Sequence, residues 1–377
     1  MVAGLEKKIC RVAVSGYYGF SNSGDEAVLR SILLALEEQG RAAGVKFEPV
    51  VLSADPEWTS RMYGVQSAHR MRPADLFKTL RECDALISGG GSLLQDATSA
   101  KTIPYYVGVI KLAQLLGKPT FIYSQGIGPV NRRWMDPLIR HVMRKSAYLS
   151  VRDAESAEYL GRIGVSKERI EVVPDPVMGL PLPANTAAGR DGAAAGSVPV
   201  VGVSLRHWRK DGADLERAVD ALAELASRRP VRLRFLPFHT PEDAETSKLV
   251  MERLSGRLGE GSTVELASPG DDPQRMLLEV SRCDMLFGMR LHALIYAANQ
   301  HVPMLGLSYD PKIDQFLGRI GLTAIGTTER LDAAEFAAAA EKLLDDAAAW
   351  RAEHEDAISK LKQQSQRPAQ QIAQLLR

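Results

Sequence analysis

Arg282-Cys-Asp-Met-Leu-Phe-Gly-Met-Arg-Leu-His-Ala-Leu294 echoes a stretch two hundred residues earlier, Glu82-Cys-Asp-Ala-Leu-Ile-Ser-Gly-Gly-Gly-Ser-Leu-Leu94. Each reads as a helix end, an Asp, a short apolar strand, a turn and a new helix. Val12-Ala-Val-Ser-Gly16 and Val201-Gly-Val-Ser-Leu205 form a second matching pair. A chain that runs through the same strand–turn–helix plan twice is built from two similar α/β domains.

Working outward, the first half offers strands at Ile9–Ser15, Phe47–Leu52, Ala85–Ser88, Thr120–Ser124, Tyr148–Val151 and Ile170–Val173, spaced by helical patterns such as Asp25–Glu38. The second half offers Val198–Ser204, Val231–Leu236, Thr263–Leu266, Met285–Gly288 and Met304–Leu307, with a helix at Asp214–Ser227. Strands separated by helices imply βαβ units and parallel sheets. The predicted organisation is a Rossmann-like domain over 1–180, a Gly/Ala/Pro-rich linker over 181–197, a second Rossmann-like domain over 198–330, and an Ala-rich helical tail over 331–377 that packs as a thin cover, back across the first domain. Two doubly wound domains facing each other across a cleft make a GT-B-like α/β fold. Ligands of such sheets bind beyond the carboxyl ends of the strands, which is where the Gly-rich turns fall.

Composition narrows the function. With 47 Lys and Arg against 46 Asp and Glu, the net charge of +1 gives no general affinity for nucleic acid. The three cysteines, Cys10, Cys83 and Cys283, have no metal-ligand spacing and border apolar runs, as buried thiols of a reducing cytoplasm do. No apolar run is long enough to span a bilayer, and Met1–Lys8 lacks the apolar core of a signal peptide. The expected location is cytoplasmic.

Chemistry concentrates at the strand ends. Arg290 and His292 open a helix straight after a strand. There the N-terminal N–H groups, a guanidinium and an imidazole together suit an anion and a proton transfer. Gly16-Tyr-Tyr-Gly-Phe-Ser-Asn-Ser-Gly-Asp-Glu26 combines tight turns with the aromatic faces of Tyr17, Tyr18 and Phe20 and the polar groups of Asn22 and Ser23, a mixture that suits a sugar. Asp25 and Glu26 read either as helix-start carboxylates or as a base. Gln95 and Asp96 follow the triglycine and are candidate partners of sugar hydroxyls. Arg152 ends a strand, Arg206 follows the first strand of the second half, and Lys312 sits in Tyr309-Asp-Pro-Lys312, on the strand next to that of Arg290. Asn131-Arg-Arg-Trp134 and the basic helix after it read as a solvated face, with a membrane surface or a diphosphate as alternatives. No metal site emerges.

Taken in series, GYYGFSNSGDEA (16–27), DALISGGGSLLQD (84–96), YSQGIGP (123–129), SVRD (150–153), DP (175–176), GVSLR (202–206), GMRLHAL (288–294) and YDPK (309–312) resemble the polysaccharide pyruvyl transferase family, most closely its CsaB type. The resemblance implies a GT-B-like fold and transfer of pyruvate from phosphoenolpyruvate to a sugar, as a cyclic ketal, with release of phosphate. It implies N-acetylmannosamine of a cell-wall polymer as acceptor, and a product that anchors S-layer proteins through SLH domains. Carried over by motif, the functional residues are Arg152 of the first domain and Arg290, His292 and Lys312 of the second. Arg290, Leu291 and Lys312, with Arg206 beside them, are expected to bind phosphoenolpyruvate on the second domain's side, with Arg152 as a further cation, and acid–base chemistry makes His292 the general acid. Asp25 or Glu26 is then the base, and Tyr17, Tyr18, Asn22, Ser23, Gln95 and Asp96 hold the acceptor. Phosphoenolpyruvate is a co-substrate and no cofactor is implied. The expected partner is a lipid-linked polymer precursor, met by peripheral contact at the inner face of the membrane. The competing expectation is a nucleotide-sugar glycosyltransferase or epimerase of GT-B fold.

Overall fold

A computed structural model describes residues 8–97, 99–184, 186 and 197–377. The chain forms two compact units, one from the described residues up to Leu180 together with Leu361–Arg377, the other Pro181–Lys360. Most of the stretch read as a linker, residues 185 and 187–196, lies outside the described residues.

The first unit holds strands β1 (Lys8–Ser15), β2 (Val45–Ser53), β3 (Gln66–His69), β4 (Ala85–Leu94), β5 (Thr120–Ile127), β6 (Tyr148–Val151) and β7 (Glu171–Val172), in the order β3-β2-β1-β4-β5-β6-β7. The second holds β8 (Val200–Ser204), β9 (Arg232–Phe235), β10 (Thr263–Leu266), β11 (Met285–Gly288), β12 (Met304–Ser308) and β13 (Gly326–Thr327), in the order β10-β9-β8-β11-β12-β13. Neighbouring strands pair in parallel throughout both sheets. In each, strand order reverses beside the first strand, between β1 and β4 and between β8 and β11. That reversal opens the crevice in which doubly wound sheets bind ligands.

The sequence repeat reappears as a hydrogen-bond repeat. Arg11 N–H donates to Asp84 (2.8 Å), and Val200 N–H donates to Asp284 (2.8 Å). Each Asp thereby satisfies the N–H one residue before the first pair with the neighbouring strand and sets the register. Val12 then stands opposite Ala85, and Val201 opposite Met285.

The copies diverge at the carboxyl edge. The triglycine is strand: β4 runs on through Gly89–Gly91 to Leu94, beyond the end expected at Ser88, and pairs with an equally extended β5. Packing is the reason. A Cβ at Gly89 would lie 2.5 Å from the Tyr18 hydroxyl, and one at Gly90 would lie 2.6 Å from Val28 Cγ1. The Ser23–Ala43 helix thus presses directly on strand backbone. In the second unit β11 stops at Gly288, and Arg290 caps the Leu291–Asn299 helix. The edge strands β3 and β13 escaped the sequence reading because Gln66–His69 and Gly326–Thr327 carry no apolar run.

Helix boundaries follow local chemistry. Asn22 accepts from Gly24 N–H at the start of Ser23–Ala43, and Gly44 ends it at φ 78°. Val28, Leu29, Ile32 and Leu36 form its buried stripe. The tail divides its packing. Ala333–Asp345 lies on the Ala213–Arg228 helix, with Phe336 edge-on to Phe287 at 4.6 Å. Arg367–Leu375 lies on Ser23–Ala43 in the first unit. All three cysteines are buried and free, and burial pushes the Cys10 and Cys83 thiols up to about 11. Among the described residues, no helix is long and apolar enough to cross a membrane.

Candidate active site

At the reversal point of the first sheet, the Gly16–Glu26 loop is clamped from beneath. Glu26 is buried and accepts from Gly19 N–H (2.8 Å) and from the Tyr63 hydroxyl (2.6 Å). Of the two candidate bases, Glu26 is thus committed to holding the loop. Arg70, also buried, donates to the Gly16 carbonyl (2.8 Å) and to the Tyr106 hydroxyl (3.1 Å), with the rings of Tyr17, Phe20 and Tyr105 around its guanidinium. Tyr17 and Phe20 stack at 4.0 Å and 7° and remain 41% and 39% exposed, a flat apolar platform. Tyr18 points the other way, into the core against Gly16 and Gly89. Its hydroxyl has no partner among the described residues, and burial raises its pKa well above the usual phenol value.

Asp25 differs from Glu26. It is half-buried, and its pKa is pushed up to about 7, first by burial and then by the charges of Glu26 and Asp175, against the opposing pull of Arg152 and Arg70. Gly91, at φ 82°, makes room for it, since a Cβ there would stand 3.0 Å from Asp25 Oδ1. Arg152 lies next along this edge. It donates to Ser92 Oγ (2.9 Å) and faces Asp175 (3.4 Å) and Asp153 (3.8 Å). Gly126 leaves room for its guanidinium, which would lie 2.8 Å from a Cβ. The Gly-rich turns thus make space for functional side chains of the protein itself. A carboxyl that titrates near neutrality beside a guanidinium can exchange a proton with a hydroxyl while an anion is held nearby.

Asn22 serves as the helix cap, and Ser23 opens the helix, half-buried. Gln95 accepts from Ala97 N–H (2.8 Å). Asp96 is fully engaged. Its carboxylate accepts from the N–H groups of Asn131 (2.8 Å) and Arg132 (2.9 Å) and lies below the usual range because of those bonds. It fixes the loop ahead of the basic helix.

The second unit carries two cationic groupings at its carboxyl edge. Arg206, after β8, donates to the Tyr309 hydroxyl (3.2 Å) and lies over the rings of Trp208 and Tyr309, each at 5.1 Å. Lys312 lies over the same Tyr309 ring at 5.4 Å and faces Asp310 at 3.3 Å. Two cations gathered on one aromatic ring leave positive potential for an anion. Arg290 forms the second grouping. Its Nε donates to buried Asp243 (2.9 Å), and Nη2 donates to the other oxygen of the same carboxylate. Asp243 also accepts from His239 N–H (3.0 Å). Although β11 and β12 are neighbours, Lys312 is grouped with Arg206, and Arg290 with Asp243. Leu291 and His292 form the first turn of the Leu291–Asn299 helix, and His292 is half-buried there.

The sequence reading assigned no role to Arg70, Ser92, Asp175 or Asp243. Ser92 and Asp175 stood in quoted motifs. Arg70 and Asp243 have no local signal, because their importance lies in a partner far away in sequence.

The fold and the two strand edges define the class: a two-unit, Rossmann-like α/β protein of GT-B-like architecture. Solved structures agree. A UDP-N-acetylglucosamine 2-epimerase-like protein from Listeria monocytogenes superposes with a TM-score of 0.63 at 13% identity, covering 96% of this chain and 94% of that one. HepE from Anabaena, solved with UDP and glucose, gives 0.61 at 14%, covering 97% and 99%. The UDP-GlcNAc 2-epimerase of Neisseria meningitidis gives 0.59 at 12%, covering 91% and 94%. These likenesses establish the fold alone. No functionally curated protein matches the chain. The family is given by sequence: the profile of the polysaccharide pyruvyl transferases matches residues 22–311, and the chain belongs to that family.

Proposed function

We propose that the protein transfers pyruvate from phosphoenolpyruvate to a sugar of a cell-wall polysaccharide, N-acetylmannosamine in the CsaB-type reading, as a cyclic ketal. The observation that carries the reading is the match of residues 22–311 to the polysaccharide pyruvyl transferases, and the geometry that supports it is Asp25, packed against Gly91 at the reversal point of the first sheet, with Arg152 on the same strand edge. A sugar hydroxyl needs such a base, and an anionic donor needs such a cation.

In this reading Arg206, Lys312, Arg290 and the N–H of Leu291 hold the carboxylate and phosphate of phosphoenolpyruvate, with Arg152 as a further cation. Asp243 fixes the Arg290 guanidinium at its helix start. His292, protonated beside bound anions, gives its proton to the methylene carbon, and the adjoining carbon becomes oxocarbenium-like. A sugar hydroxyl attacks that carbon and passes its proton to Asp25. The bond from that carbon to the phosphate oxygen breaks, phosphate leaves with the bonding pair, and a second hydroxyl closes the ketal, its proton passing to His292, which gave one up in the first step. Tyr17 and Phe20 supply the apolar face on which the sugar ring lies. The acceptor is a lipid-linked precursor handled in the cytoplasm at the inner face of the membrane, and the finished polymer anchors S-layer proteins through SLH domains.

Calorimetry and turnover test this. Phosphoenolpyruvate should bind and UDP should not, and phosphate should be released only when a suitable sugar is present. His292→Ala should lose turnover at least about 100-fold while keeping phosphoenolpyruvate binding. Binding of UDP without binding of phosphoenolpyruvate would replace this reading with the nucleotide-sugar one. Near wild-type turnover in His292→Ala would remove His292 as the acid.

A further inference from the structure

Charge in this chain is distributed unevenly. Residues 99–147 contain eight Lys or Arg and a single acid, Asp136, so the rest of a chain of net charge +1 is net negative. The structure gathers that excess on one surface of the first unit. The Thr102–Leu115 helix packs beside Asp136–Lys145, and Lys111 Nζ stands 2.7 Å from His141 Nε2 across the junction. Ile139, Val142 and Met143 face inward. Helical spacing then sets Leu138, His141 and Lys145 on one outward stripe, and Gly108, Lys111 and Leu115 on the next.

Two features separate this surface from an ordinary solvated face. First, its cations are not neutralised by the protein. Among the described residues, Lys101, Lys111, Lys118, Arg140, Arg144 and Lys145 make no ion pair, whereas Arg132 is held by Asp96 and Arg133 by Asp136. His141 responds to the excess: burial, then Lys111 and Lys145, lower its pKa. Second, large apolar side chains stand out among the charges. Leu115 is 70% exposed, Trp134 59% and Leu138 40%. Soluble surfaces rarely place such groups together, whereas a bilayer interface takes both at once. Trp and Leu enter at headgroup level, and Lys and Arg remain with the lipid phosphates.

We propose that the surface made by the Thr102–Leu115 helix, Trp134 and the Asp136–Lys145 helix docks the protein on an anionic lipid bilayer. The charge complementarity commits it to anionic lipid, and the exposed apolar residues favour a bilayer over a soluble polyanion. The inference stands apart from the pyruvyl-transfer reading, because vesicle binding is scored without turnover.

The full-length protein is sedimented with phosphatidylcholine vesicles and with mixed phosphatidylcholine–phosphatidylglycerol vesicles over a salt series. Binding should require phosphatidylglycerol and weaken as salt rises. Arg144→Gln with Lys145→Gln should weaken it roughly 30-fold, about fivefold per neutralised charge. Trp134→Ala with Leu138→Ala should weaken it at high salt as well as low. Trp134 emission should shift to the blue on binding, assigned by its loss in Trp134→Phe. These residues are exposed, so unchanged circular dichroism separates lost docking from lost folding, and turnover on a water-soluble acceptor should be unchanged. Equal affinity for both vesicle types, unchanged binding by the variants, or affinity for a DNA duplex matching that for the anionic vesicles would each overturn the proposal.

Discussion

Asp25→Asn tests the electrostatics of the first strand edge with little change of shape. The carboxyl stands at about 7 in the folded protein against 3.8 for the free group. A raised acid binds its proton more tightly when folded, so it stabilises the fold fully below pH 3.8 and loses that contribution as pH rises through 7. Between pH 5 and pH 8 the folded state must release a proton that the unfolded chain has already lost. Linkage with these two values sets the loss at about 2–3 kcal/mol. Asn carries no such proton. Urea unfolding of wild type and Asp25→Asn at pH 5 and pH 8 therefore yields a double difference in which other titrations cancel. The variant should gain about 2–3 kcal/mol on wild type as pH goes from 5 to 8. Wild-type turnover should also climb as pH rises through about 7, as the base becomes free, and Asp25→Asn should lose turnover without losing stability. A double difference near zero would show that Asp25 titrates like a surface carboxyl, and the base assignment would go with it.

Gly89→Ala should destabilise the first unit by about 1–3 kcal/mol through overpacking, since its Cβ would meet the Tyr18 hydroxyl at 2.5 Å. Tyr18→Phe alone should stay within about 1 kcal/mol of wild type and should relieve part of the Gly89→Ala loss, as thermal melts of the double variant would reveal. In the second unit, Arg290→Met leaves buried Asp243 without its guanidinium and should cost about 3–5 kcal/mol. Adding Asp243→Asn should restore most of it, and strictly additive losses would mean that the pair is not the cause.

Much of the fold was legible because parallel strands buried on both faces must be apolar runs, and because the repeat around Asp84 and Asp284 states one plan twice. The exceptions are instructive. Gly89–Gly91 was expected to be a turn, since three glycines in a row usually are. They remain strand here because Tyr18, Val28 and Asp25 fill the volume their side chains would need. The site was legible as residue types at strand ends, while their working relations were not. Tyr17 and Tyr18 are neighbours of one kind in sequence, yet one lies on an exposed platform and the other is sealed in the core. Asp25 and Glu26 are equally adjacent. Glu26 receives Tyr63 and Gly19, and Asp25 is left at about 7 near Arg152.

What can be read from the residues in order is whatever depends on local pattern: two α/β halves, strand ends rich in glycine and cations, and motifs in series that mark the family. Which carboxylate titrates, which cations stand together, and which glycines serve packing depend on side chains brought together from as far apart as Arg206 and Lys312, or Asp25 and Arg152. Electrostatic and packing energies fall off with distance in space and take no account of distance along the chain, so these features arise only once the chain has folded.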